Sequence, residues 1–218
     1  MGTESINSTF PSWYEDWLFA SLKIDQGNVC QEKYLKPLIS LNNCWLQENY
    51  SKDQYDWHSQ EVATAYALYY MTANIPKLWM ILDHAHRWNE KHLTQITSIT
   101  ELGCGPGTFL WAYLFYLHQH HPTQLSKITH IRGVDHSQEN LDIATELFRS
   151  LKARPEFAHI EATFTYAEWQ NEITNIPEVS STHHLTIFGN SLIESRENID
   201  RVKTTPFETT LKVLWVLQ

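Results

Sequence analysis

The residues best suited to chemistry lie in a glycine-rich stretch near the middle of the chain. Only seven glycines occur in 218 residues, and three of them are Gly103, Gly105 and Gly107. Ile96 to Leu102, before them, is typical of a β-strand, and Phe109 to Leu117, after them, of an apolar helix. A glycine turn between a strand and a helix brings backbone N–H groups close to a ligand. We therefore expect a ligand site at this turn.

The spacing of the glycines restricts the ligand. Dinucleotide-binding turns have the spacing G-x-G-x-x-G, whereas the third glycine here follows the second by two residues. The absence of a Gly-Lys-Ser/Thr sequence excludes a P-loop. Glu101, before the turn, can accept an ammonium group, and Asp135, at the end of the next strand, can accept both hydroxyls of a ribose. A ribose joined to an amino-acid tail describes S-adenosylmethionine (SAM).

Two less specific interpretations remain open. The glycines can serve only strand–helix packing, and Asp135 can be an acid at a helix N-terminus, although His136-Ser137 already offers a cap. Cys104, inside the turn, would line the cofactor pocket. Asn190 follows strand four, where it can orient a methyl acceptor or bond its own turn. The predicted cofactor-binding residues are Glu101, Gly103, Cys104, Gly105, Gly107, Thr108, Asp135, His136, Ser137 and Asn190.

The second half of the chain alternates between strand and helix patterns, which predicts an α/β fold with a parallel sheet. The expected strands span Ile96 to Leu102, Ile128 to Val134, His159 to Tyr166, His184 to Phe188 and Leu211 to Leu217. The helix after the glycine turn is apolar nearly all round and is expected to be buried. We assign residues 95–218 to a SAM-binding, Rossmann-like domain and residues 1–94 to an N-terminal helical extension.

The extension contains two recognisable patterns. Trp13 to Lys23 predicts a short helix, which either caps the main domain or presents a docking surface with Trp13, Trp17 and Trp45. Residues 58–92 predict two helices, with Ser59 as N-cap of the first and Asn74-Ile75-Pro76 as the interruption between them. We expect these two helices to form a hairpin.

Composition excludes several classes of protein. The net charge of −9 argues against a protein that holds nucleic acid by bulk electrostatics. The three cysteines have no metal-ligand spacing, and His118 and His121 lack partners for a metal site, so no metal is expected. No signal segment and no apolar run of about 18 residues is present, which predicts a cytoplasmic protein without membrane contact.

The sequence resembles a known enzyme class at these motifs. Glu101 to Thr108 resembles motif I of class I SAM-dependent methyltransferases, and Val134 to Leu141 their post-I segment. With Ala65 to Trp79 included, residues 60–195 are similar to the mitochondrial and bacterial small-ribosomal-subunit methyltransferase-like family. In that family a Tyr- and Ala-rich helix precedes a Gly-x-Gly-Pro-Gly-Thr turn. The resemblance implies a class I fold, SAM as cofactor, methyl transfer, and a link to small-subunit ribosomal RNA and translation.

The chain departs from this family at its end. A full class I domain continues after strand five with a helix and a two-stranded hairpin, so the fold is expected to be truncated there. Strand five would then present an apolar edge, which favours self-association. The alternatives are a non-catalytic SAM-binding ribosome-assembly factor and a truncated, inactive methyltransferase-like protein. No catalytic residue is assigned, since methyl transfer from a sulfonium requires neither a protein nucleophile nor a metal.

Overall fold

The computed structural model describes residues 9–25, 32–45, 59–168, 172, 184–188 and 211–215. The helices are α1 (Tyr14–Leu22), α2 (Glu32–Trp45), α3 (Gln60–Ala65), α4 (Thr72–Leu93), α5 (Thr108–His120), α6 (Pro122–Leu125) and α7 (Gln138–Lys152). A π-helical segment, Tyr66–Met71, joins α3 to α4. The strands are β1 (Ser98–Leu102), β2 (His130–Asp135), β3 (Glu161–Tyr166), β4 (His184–Phe188) and β5 (Leu211–Trp215).

The five described strands form one parallel sheet in the order β3-β2-β1-β4-β5. Four strands lie within their predicted ranges, and β2 extends one residue beyond its range, to Asp135. The predicted α/β class is confirmed. The chain leaves β1 toward β2 and β3, then returns to the other side of β1 with β4. This reversal is the doubly wound, Rossmann-like arrangement, and ligands bind beside the carboxyl ends of the strands at such a switch point. The carboxyl end of β1 is the beginning of the glycine turn.

Helix α5 is the most deeply buried helix element of the described core. Every residue from Thr108 to Leu117 is buried, as the all-round apolar pattern predicts. The helix lies between β1 and α4. The Trp79 indole N–H of α4 donates to the Ala112 carbonyl at 2.8 Å, and the Tyr116 hydroxyl of α5 donates to Asp83 at 2.9 Å. These two bonds let the helices pack closely while the Trp79 and Tyr116 donors stay satisfied.

Helix α1 packs on α5 and α7 instead of presenting a docking surface. Trp17 is 5% exposed, and its indole N–H donates to the Leu147 carbonyl at 3.0 Å. Trp13 is half-buried and packs edge-on against Phe115, while the Arg154 guanidinium lies 3.9 Å from its ring centroid. The docking hypothesis is therefore wrong for Trp13 and Trp17, and the side chain of Trp45 lies outside the described residues.

The predicted hairpin in residues 58–92 is wrong. The helical conformation is continuous from residue 60 to residue 93, and Pro76 lies inside α4. A proline removes one backbone hydrogen bond from a helix. The helix continues because residues on both sides, including Met71, Ile75 and Leu78, bury their side chains in the same core. The predicted cap is confirmed, since the Ser59 hydroxyl accepts the Val62 N–H at 3.4 Å.

The helices before residue 95 and the sheet after it share one apolar core, which includes Trp17, Met71 and Leu82 together with Ile99 and Phe115. The domain boundary at residues 94 and 95 stays a prediction. The helical extension contributes directly to the interior of the α/β unit that follows it.

Candidate functional site

The glycine turn is anchored to the end of β2. The N–H groups of Gly103 and Cys104 both donate to the Val134 carbonyl, at 2.8 and 2.9 Å. Gly103, Gly105 and Gly107 have φ of +68°, +54° and +85°, respectively. These values lie in the left-handed region, which costs other residues about 1–2 kcal/mol. The glycines therefore allow a tight turn whose path is fixed by the neighbouring strand.

Glu101 is placed differently from our expectation. Its side chain is 1% exposed, and its carboxylate accepts the N–H groups of Phe109 at 3.1 Å and Leu110 at 3.0 Å. The first N–H groups of a helix have no partner within the helix, so this carboxylate caps α5. Burial raises the pKa of Glu101, and the two N–H bonds oppose that rise. Glu101 supports the turn from the interior, where it is not exposed to a ligand's ammonium group.

Asp135 joins the glycine turn to the start of α7. Its Oδ2 accepts the Gly105 N–H at 2.7 Å, and its Oδ1 accepts the Ser137 N–H at 2.9 Å. Burial raises the pKa of this carboxyl, while the hydrogen bonds from Gly105 and Ser137 lower it. Each carboxylate oxygen has a further acceptor position, so both can also receive a ribose hydroxyl. Asp135 thus lies at the switch point and fixes the shape of the turn.

Packing explains Gly107 better than ligand contact does. A Cβ at Gly107 would lie 2.6 Å from the Trp111 indole, whose N–H donates to the Pro106 carbonyl at 2.6 Å. A Cβ at Gly105 would meet its nearest neighbour, Tyr66, at 3.7 Å. The packing interpretation therefore applies to Gly107, whereas Gly105 lies where a ligand can approach.

The Cys104 thiol faces the protein interior instead of lining the cofactor pocket. The residue is 2% exposed, and its Sγ would lie 2.9 Å from a Cβ on Gly133 of β2. Burial raises the pKa of this thiol well above its usual value. Position 133 must be glycine to leave room for the Cys104 thiol. The sequence pattern did not reveal this, since only the pairing of β1 with β2 brings Cys104 and Gly133 together.

The remaining predicted residues have separate positions. Thr108 begins α5, and its hydroxyl is buried with no hydrogen-bond partner among the described residues. Ser137 caps α7 as predicted, since its hydroxyl accepts the Asn140 N–H at 3.2 Å. The His136 side chain is 36% exposed, with Nδ1 at 3.7 Å from Asp135 Oδ1. Asn190 lies outside the described residues.

Two tyrosines near the site, Tyr166 and Tyr66, are not among the residues predicted from the sequence. Tyr166, the last residue of β3, pairs in register with Asp135 and is 61% exposed. Its position at the end of a predicted strand could have indicated it. Tyr66, in the π-helical segment, lies beside Gly105. Its location depends on the helix that passes over the turn, so no local sequence signal could have identified it.

The described residues do not suggest a metal centre or a membrane segment. No three His, Cys, Asp or Glu side chains among them are grouped as metal ligands. His121 instead stacks on His86, with ring centroids 4.1 Å apart, and burial together with the nearby His121 lowers the pKa of His86 to about 4. No helix in the described ranges combines the length and apolar character needed to cross a bilayer.

No family profile matches the chain, and no curated protein sequence matches it. Two solved structures show similarity to the chain. The bifunctional kinase-methyltransferase WbdD is 24% identical, with 60% of this chain and 24% of that one covered and a TM-score of 0.38. The plantazolicin methyltransferase BpumL, in complex with SAH, is 13% identical, with 91% of this chain and 61% of that one covered and a TM-score of 0.39. The chain thus spans less than two thirds of either structure.

The fold assignment depends on the strand order and on the position of the glycine turn. A parallel sheet in the order β3-β2-β1-β4-β5, with a glycine turn between β1 and α5, is a doubly wound, Rossmann-like sheet. The glycine turn, the Asp135 carboxylate and the exposed Tyr166 ring all lie at the carboxyl edge of this sheet. The described residues thus place two carboxylate acceptors, a glycine turn and an aromatic ring at the end of the sheet where ligands of Rossmann-like folds bind.

Proposed function

We propose that the chain is a SAM-dependent methyltransferase. The observation that carries the proposal is the position of Asp135, which ends β2 and is bonded to the Gly105 N–H at the switch point of the sheet. A carboxylate here is placed for ribose hydroxyls, and the shortened glycine spacing suits a ligand without a pyrophosphate. The resemblance to methyltransferase motif I supports the same cofactor.

The residues at the turn fit SAM in charge and in space. Asp135 would hold the ribose, the exposed ring of Tyr166 would contact the adenine, and Gly103 and Gly105 would let the backbone approach the amino-acid tail. The Thr108 hydroxyl, which has no hydrogen-bond partner within the described part of the chain, gives the buried side of the site a donor that a polar ligand can satisfy. When bound, SAM supplies a methyl group on a sulfonium, and the protein's contribution is to position it and exclude water.

Isothermal titration calorimetry with SAM tests this proposal. Asp135→Ala would also remove two hydrogen bonds that shape the turn, so Asp135→Asn is the sharper variant. Asp142→Asn, at an exposed position on α7, is the matched acid-to-amide control. We expect the wild type and Asp142→Asn to bind alike, and Asp135→Asn to bind at least about tenfold more weakly, since a charge-assisted bond contributes about 1.5–3 kcal/mol. Folded wild-type protein that binds no SAM would contradict the proposal.

The acceptor is the finer part of the proposal. We propose small-subunit ribosomal RNA, or the small subunit itself, as the partner, supported by the similarity of residues 60–195 to the ribosomal methyltransferase-like family. Transfer of a tritiated methyl group to purified small-subunit RNA would support an enzyme. SAM binding together with subunit association, but without transfer, would instead favour a non-catalytic assembly factor.

A further inference from the structure

Two tyrosines of the π-helical segment lie beside the glycine turn. Tyr66 Cε1 is 3.7 Å from the position that a Cβ on Gly105 would occupy. The Tyr70 ring lies next to it, with centroids 5.5 Å apart and an interplanar angle of 32°. Both side chains are half-buried, so each ring combines packed and accessible surface. π-helical turns are rare and are frequent at functional sites, and here the turn places an aromatic pair at the proposed cofactor site.

The chemistry of the proposed cofactor places its charge near this pair. Asp135 is the ribose-binding group of the proposed site, and Gly105 is bonded to it through its N–H at 2.7 Å. In SAM, one methylene separates the ribose ring from the sulfonium, and the amino-acid tail continues beyond it. A ribose at Asp135 with a tail along the glycine turn therefore brings the sulfonium over Gly105, where Tyr66 is the nearest side chain to the Cβ position.

We propose that Tyr66, supported by Tyr70, forms an aromatic wall that contacts the sulfonium and makes the site prefer charged SAM to neutral S-adenosylhomocysteine (SAH). Onium cations are attracted to the negative face of an aromatic ring, and the attraction grows when the cation is desolvated. The wall would favour binding of SAM, and it would bind the product SAH less tightly because SAH lacks the sulfonium charge. This inference rests on the proposed function, because it requires SAM in the site.

Calorimetric titration of SAM and SAH, each against wild type and variants, tests the wall. In Tyr66→Leu, we expect the Kd of SAM to rise by about 2- to 30-fold, the range of a cation–π contact, with the Kd of SAH little changed. Tyr66→Phe keeps the ring and should keep the preference for SAM. Tyr69→Leu, a substitution on the same segment at a residue that packs against the core, is the matched control for loss of a tyrosine there.

The possible outcomes distinguish failure of the aromatic wall from failure of the proposed SAM-dependent function. Equal weakening of SAM and SAH in Tyr66→Leu, or no change in either, would overturn the charge-selective wall and leave SAM binding intact. Folded wild type that binds neither ligand would overturn both proposals. If Tyr66→Leu does not fold, replacement of Tyr66 by pentafluorophenylalanine keeps the ring and removes its negative face. Loss of the preference for SAM there supports the wall, and its retention overturns it.

Discussion

At the scale of single residues, the residues of the glycine turn and its surroundings have different structural roles. Glu101 caps α5 from the interior, Asp135 ties the turn to β2 and α7, and Gly107 makes room for the Trp111 indole. Gly105 is the position at which the backbone is close to both the carboxylate and an aromatic ring. Residues of one motif therefore have separate roles: Glu101 and Gly107 serve packing, whereas Gly105 and Asp135 are the proposed ligand contacts.

The two glycines that bracket Pro106 should respond differently to alanine. Gly107→Ala combines an unfavourable φ with a Cβ 2.6 Å from Trp111, and we expect a loss of about 2–5 kcal/mol in the free energy of unfolding. Gly105→Ala has only the conformational cost of about 1–2 kcal/mol, and its larger effect should be on SAM affinity. Urea unfolding with calorimetric titration measures both. Equal destabilisation by the two variants would argue against the packing role of Gly107.

His184 should make the protein less stable in acid. It is 7% exposed in β4, with Nδ1 2.7 Å from Ser98 Oγ, and burial lowers its pKa from 6.5 to about 4, with a smaller contribution from His130. Between these values the unfolded chain binds more protons than the folded one, so stability falls as the pH falls. The loss from His184 between about pH 7 and pH 5 is about 2 kcal/mol.

His184→Gln should flatten this acid-side decline. Urea unfolding at several pH values provides the measurement, and His84→Gln, at an exposed position on α4, controls for replacement of a surface histidine. A decline of unchanged slope in His184→Gln would mean that other groups cause the acid sensitivity.

At the scale of elements, the helix of residues 60–93 differs most from the sequence prediction, because Asn74-Ile75-Pro76 predicted a break where the helix is continuous. A proline after Asn74-Ile75 is a common sign of a new helix. Here the burial of Met71, Ile75, Leu78 and Leu82 in one core keeps the helix continuous past it. The same continuity carries the π-helical segment, and with it Tyr66, over the glycine turn.

Pro76→Ala distinguishes a continuous helix from a hairpin. In a continuous helix, alanine restores an N–H that can bond the Thr72 carbonyl, and we expect a gain of about 1–2 kcal/mol in the free energy of unfolding. In a hairpin, proline in the first helical turn is favourable and its removal would give no gain. Urea unfolding measures the change, and Lys77→Ala controls for helix propensity at the next position.

At the scale of the whole molecule, the N-terminal helices and the sheet form one core around α5. Trp17 and Trp79 each donate an indole N–H to a carbonyl of α7 or α5, which attaches α1 and α4 to the α/β unit. Tryptophans whose donors are paired in this way serve the interior. The aromatic richness of the chain is thus partly explained by this second helical layer.

We propose that the protein self-associates through β5. This strand pairs with β4 on one side and is the outermost strand of the sheet within the described residues. The apolar run from Leu211 to Leu217 makes such an edge prone to pair with another copy. Sedimentation velocity over a range of concentrations should show dimers or larger species, and replacing Val213 by lysine should reduce them. A monomer with an ordered β5 would contradict the prediction.

The sequence alone determined the alternation of strands and helices, the location of the glycine turn and the acid that ends β2. These features depend on residues close in the chain, where hydrophobic periodicity and glycine spacing act directly. Tertiary structure decided what the same residues contact. It turned Glu101 toward the α5 N-terminus, directed the Cys104 thiol against Gly133, and placed Tyr66 beside Gly105. The Glu101 contact depends on how the turn folds back on its own helix, and the other two on packing between distant segments, which local patterns cannot specify.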